Sequence, residues 1–153
     1  MQETKNIAGL FENLYNGDPW IDVTIKGTLA NITAKEAASH PLNKCNSIWQ
    51  LTNHLISWRL NVLRRIQGEV ITTPSHNYIE EIIDTSDAAW ELTLHQLEES
   101  QEKWLTFLES FKEEDFSKIY PNNDMNYYEH IHGIIQHDAY HLGQIVFLIK
   151  YLS

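Results

Sequence analysis

The stretch Gln136-His137-Asp138-Ala139-Tyr140-His141-Leu142-Gly143-Gln144-Ile145 lies inside the last long apolar-periodic segment of the chain. Ile134, His137, His141, Ile145 and Leu148 recur at three- and four-residue steps, which is the period of one helix face. Both imidazoles therefore share the apolar side of a helix, one turn apart. An inward-facing imidazole needs a partner, because an unpaired polar group in a core costs on the order of 1–3 kcal/mol.

Working back from that segment, the same reading finds three more long helices. The last one opens near Asn126, with Glu129 three residues on in a capping-box pattern, and runs to about Tyr151. Asp87 to Phe111 carries Trp90, Leu94, Leu97, Trp104 and Leu108 on one side and Glu91, His95, Glu98 and Glu102 on the other. A helix from Asn46 or Ser47 to Gly68 has its apolar stripe at Ile48, Leu51, Leu55, Trp58 and Val62. Arg59, Arg64 and Arg65 sit toward its C-terminal half, where positive charge suits the helix dipole. The first helix spans about Lys5 to Tyr15 and stops at Gly17-Asp18-Pro19. Short helical pieces are expected over 22–30 and after the Thr33-x-x-Glu36 capping box. The connections 69–86 and 112–124 are long, with a turn or two of helix expected within 78–83. The expected fold is all-α, a single four-helix bundle over residues 1–153. Its topology is expected to be up-up-down-down, since long crossovers let consecutive helices run parallel.

Composition excludes several partners. Of 153 residues, 42% are hydrophobic, enough for one packed core. A formal net charge of -10 argues against nucleic acid and against anionic membrane surfaces, both of which select clustered Lys and Arg. The chain shows no apolar run near the ~20 residues of a membrane span, and no leader pattern at Met1-Gln2-Glu3-Thr4-Lys5. The single cysteine, Cys45, permits no internal disulfide and suits a cytoplasmic location.

A third histidine changes the weight of the first two. His54 lies three residues after Leu51 and four before Trp58, so it also faces inward, on a different helix. One inward histidine is ordinarily a hydrogen-bonded core residue; three in one small bundle call for a shared explanation. A divalent ion would satisfy one ring nitrogen of each, making His54, His137 and His141 the candidate metal ligands. His137-Asp138-x-x-His141 also approaches the zinc-protease pattern His-Glu-x-x-His, but Asp138 is one methylene short of that glutamate. Asp138 is instead read as a surface carboxylate or one supporting a ligand. His130, seven residues before His137, is read as a polar wall of the same groove or a partner behind a ligand; His40 and His76 are read as solvated, and His95 as a surface ion pair with the glutamates around it. Gln101 either faces the bundle centre or flanks the stripe, Cys45 is read as a packed or idle thiol, and one of Trp20, Trp49 and Trp58 as a pocket wall.

Two segments carry a family likeness. Asn46-Ser47-Ile48-Trp49-Gln50-Leu51-Thr52-Asn53-His54 and Gln136 to Ile145, together with Trp58-Arg59 and the helix order, resemble the DinB-like (DinB/YfiT-like) superfamily. The resemblance implies a metal triad of His54, His137 and His141, with zinc or nickel as the usual ion, and a homodimer. It implies a metal-dependent thiol S-transferase or hydrolase acting on a small-molecule substrate, with a low-molecular-weight thiol as possible cosubstrate. The alternative is a non-catalytic metal- or small-ligand-binding stress protein on the same bundle. Three neutral imidazoles leave an ion's charge uncompensated. A water so held falls to a pKa of about 7, and a thiol is favoured as thiolate.

Overall fold

The computed structural model describes residues 2–152. Six α-helices follow in order: α1 (Gln2–Asn16), α2 (Ile25–Leu29), α3 (Ala34–Ala38), α4 (Ile48–Ile66), α5 (Asp87–Ser110) and α6 (Tyr127–Ile149). A 3-10 turn covers Glu113–Ser117, and the described residues form no strand. Among these residues no helix is long and apolar enough to cross a membrane.

Local chemistry sets most helix ends. Ser47 caps α4 by accepting from the Gln50 N–H while Gln50 returns a bond to the Ser47 N–H; Asn126 and Glu129 do the same for α6. Beyond α4 the chain turns at Gly68, whose φ of 97° lies in the left-handed region that glycine enters without strain. Ser47 is buried, so water cannot replace its bond. Ser47→Ala is expected to cost about 1 kcal/mol, read as a fall in Tm of about 2–4 °C. An unchanged Tm would show that the cap contributes nothing. The start of α1 has a different cause. The Glu113 carboxylate accepts the N–H groups of Glu3 (2.9 Å) and Thr4 (3.3 Å), so a residue far along the chain extends the helix to Gln2.

Helix directions follow from the pairs that meet. Phe11 stacks on Trp104 and Tyr15 bonds Glu98, so α1 and α5 are antiparallel. Trp49 bonds Thr93, and Trp104 donates to the Arg59 carbonyl, so α4 and α5 are parallel. His54 meets His141 while Trp58 meets His137, so α4 and α6 are antiparallel. The order is therefore up-down-down-up, not the up-up-down-down expected from loop length. Only the connection 67–86 runs back along the bundle. The connection 111–126 stays at one end, held there by Phe111 on Phe116 and Phe116 on Tyr128, and it crosses to a helix of opposite direction. The segment 78–83 forms no helix; Asn77 (φ 53°) and Tyr78 (φ 59°) both enter the left-handed region and break it.

The core has two apolar clusters. One gathers Leu14, Trp49, Leu55, Trp90, Leu97 and Leu142; the other gathers Ile7, Phe11, Val62, Trp104, Leu108 and Ile134. On each of α4, α5 and α6 the residue between these clusters is polar: Arg59, Gln101 and Asp138, each at most 5% exposed. Arg59 donates to Gln101 and lies 3.5 Å from the Asp138 carboxylate, and its guanidinium lies 5.9 Å from the Phe11 ring and 5.7 Å from Tyr15. One side chain thus touches all four long helices. Arg59 is a core residue rather than a dipole-matching surface cation, and Asp138 is not a surface carboxylate. Gln101 faces the bundle centre, where it binds this guanidinium.

Candidate metal centre

The capping box at Ser47 starts α4, and burial of its stripe Ile48, Leu51, Leu55 and Val62 turns His54 onto α6. There the i,i+4 pair His137 and His141 meets it. Ring centroids lie 5.0 Å apart for His54 and His137, 4.6 Å for His54 and His141, and 4.5 Å for His137 and His141. One ring nitrogen from each falls within 4.8 Å of the other two. All three residues read from the sequence are brought together.

Hydrogen bonds at the far side of two rings fix their tautomers. His54 Nδ1–H donates to the Asn77 carbonyl at 2.7 Å, and His141 Nδ1–H donates to Gln144 Oε1 at 2.7 Å. Each neutral ring then carries its lone pair on Nε2. The Nε2 atoms of His54 and His137 stand 3.1 Å apart. His54 Nε2 is an acceptor there, so the contact takes either the proton of an Nε2–H tautomer of His137 or a cation between the two nitrogens; His137 Nδ1 is buried with no partner to fix its tautomer. A tetrahedral ion with bonds of 2.0–2.1 Å holds its nitrogens about 3.3 Å apart, so the donor set fits such an ion with small side-chain movements.

The electrostatics favour the ligand form. Burial pushes all three histidines below their ordinary value of 6.5; His137 falls to about 3, with His141 and His54 adding repulsion. The Asn77 carbonyl and Gln144 each pull their own histidine partway back. Neutral imidazoles with free lone pairs are what a metal requires. Behind them, burial pushes the Asp138 carboxyl up to about 7, with Arg59 drawing it down. At 3.5 Å the ion pair is longer than a charge-assisted hydrogen bond, and Asp138 Oδ1 has no partner, which is why burial prevails.

The segment 74–80 acts as a strap over α4. Trp58 Nε1–H donates to Asn77 Oδ1 at 3.0 Å and Asn61 Nδ2–H to the Tyr78 hydroxyl at 2.8 Å. These bonds hold two residues at positive φ, a cost of about 1–3 kcal/mol each, and aim the Asn77 carbonyl at His54. Gln144 was legible as an i,i+3 neighbour of His141. Asn77 was not, because no periodicity connects a loop residue to a histidine on another element.

Two cavities lie near the triad, and one of them reaches it. The cavity of about 550 Å³ is lined by Cys45, Leu51, Tyr140, Gln144 and Leu148, of which Tyr140 and Gln144 contact His141, and by none of the three histidines. The other, about 310 Å³, is lined by Trp58, Arg65, His130 and His137. His130 is the buried polar wall expected of it: its Nδ1–H donates to the Asn126 carbonyl and its Nε2 accepts from Asn123. His40, His76 and His95 are exposed; His76 belongs to the strap, where its Nδ1 accepts the Tyr78 N–H at 3.1 Å, and His95 lies 3.5 Å from Glu99. Trp58 is a wall; Trp49 is buried in the core and Trp20 is fully exposed. Cys45 is exposed rather than packed.

Residues 24–145 match the sequence model of the DinB superfamily. No curated protein and no solved structure matches the chain.

Proposed function

The chain belongs to the DinB superfamily, and on that footing we propose that it binds one divalent ion, zinc or nickel, through His54, His137 and His141. The reaction we assign is S-transfer or hydrolysis on a small molecule. The observation that carries this reading is the convergence of three imidazole nitrogens within 4.8 Å, two of them on rings whose opposite N–H is already committed.

When bound, the ion supplies Lewis acidity that lowers the pKa of a water or low-molecular-weight thiol held against it. The chain's own residues do the rest. Asn77 and Gln144 orient two of the ligand rings. Trp58 and Tyr140 lie 5.9 Å and 4.9 Å from His137 and His141, centroid to centroid, and wall the site on either side. The cavity of about 310 Å³ that His137 itself lines supplies room for a small-molecule reactant beside the site.

Metal analysis of purified protein tests the reading. Wild type is expected to carry about one ion per chain, and His54→Ala and His137→Ala close to none. Equal trace metal in all three would sink it.

A further inference from the structure

Arg65 stands on α4 seven residues past Trp58, which is about 10 Å along the helix, and lines the same 310 Å³ cavity as His137. It is 9% exposed. One of its N–H groups donates to Thr73 Oγ1 at 3.2 Å, and its guanidinium lies 5.3 Å from the Trp58 ring and 4.8 Å from Tyr120. Its buried Nε–H has no acceptor. Arg59 has Asp138 and Arg64 has Glu69, but no carboxylate among the described residues pairs with Arg65. Ring faces offset only part of the cost of burying such a charge, and they accept no in-plane hydrogen bond. Glu129 lines the cavity too, but it is exposed and its carboxylate caps α6 by accepting the Asn126 N–H at 2.8 Å.

We propose that this cavity binds a small organic carboxylate, with the anion on Arg65 and the apolar body against Val62 and Ile134, reaching toward His137. A monoanion suits it better than a phosphate, since no lysine or second arginine lines the cavity and Glu129 repels a dianion. The reactive end of this assignment rests on the metal reading above; the anion seat does not.

The test uses hexanoate and hexanamide on chelator-treated full-length protein, followed by the Trp58 indole 15N–H signal and by calorimetry. Hexanoate is expected to bind saturably. Hexanamide, and hexanoate with Arg65→Gln, are expected to bind about tenfold more weakly or worse. Arg65→Lys, with an unchanged amide spectrum, is expected to fall between. Equal binding of acid and amide, wild-type binding in both variants, no binding at millimolar hexanoate, or tighter binding of inorganic phosphate would each overturn the proposal. So would hexanoate binding that appears only after metal loading, because the ion would then be the anion's seat. Wild type that loads no metal yet binds hexanoate through Arg65 sinks the metal reading alone. Wild type that loads metal and binds hexanoate without Arg65 sinks this one alone.

Discussion

Arg59→Ala is expected to destabilise the protein by about 3–5 kcal/mol, from the lost volume of a large buried side chain and from a stranded carboxyl. That corresponds to a Tm lower by about 6–20 °C for a chain of this size. Arg59 is 1% exposed, and it donates to Gln101, faces Asp138 and packs against Phe11 and Tyr15. The loss should also depend on pH. Asp138 already titrates at about 7, above its ordinary 3.8, so its contribution to stability is fully present below pH 3.8 and is lost as pH rises through 7. Removing Arg59 removes the one influence that lowers this value, so the window of loss extends to higher pH. Thermal melts of metal-free Arg59→Ala should therefore show a larger deficit at pH 8.5 than at pH 6. The double variant Arg59→Met/Asp138→Leu should recover most of it, since a buried ion pair is often replaceable by apolar packing. A deficit within 1 kcal/mol for Arg59→Ala would show that the layer between the two apolar clusters does not tie the helices together.

Zinc or nickel at about 100–1,000 times its dissociation constant is expected to stabilise the wild type by about 2.7–4.1 kcal/mol. The melt should shift upward by about 5–16 °C, and His54→Ala and His137→Ala should show no shift. Protons compete for the same lone pairs, so the sign follows from the histidines. Their folded values lie below 6.5, with His137 at about 3, so the stabilisation should persist at pH 6 and fade as pH drops toward that value. In the metal-free protein each of these histidines contributes stability that is present above pH 6.5 and is lost on acidification. Asp138 acts oppositely between pH 3.8 and 7, offsetting about one histidine and leaving a net loss toward acid. A metal-induced shift of equal size in the His137→Ala variant would remove that residue from the ligand set.

The helices and the triad are readable in the sequence for a common physical reason. A capping box spans three residues, an amphipathic stripe repeats within a turn, and an i,i+4 pair shares a face, so each is written in contiguous residues. Ser47 with Gln50, Asn126 with Glu129, and His137 with His141 are all of this kind. His54 was readable one step further out, since its place between Leu51 and Trp58 turned it inward. Membership of one superfamily was readable from the same segments.

What needed the folded chain depends on pairs of distant residues, whose energies no local pattern encodes. The extension of α1 by Glu113 is one case, and the aim of the Asn77 carbonyl at His54 is another. The direction of α6 was set by aromatic packing that keeps 111–126 at one end, where loop length alone had suggested a different order. Asp138 follows His137 in sequence and had the look of a surface acid; only the position of Arg59 between the two apolar clusters puts it in the core. Arg65 changed most. On the helix it is one more cation near a C-terminus, but with Tyr120 and Trp58 closed over it, it is a buried charge facing a cavity with no acid to meet it.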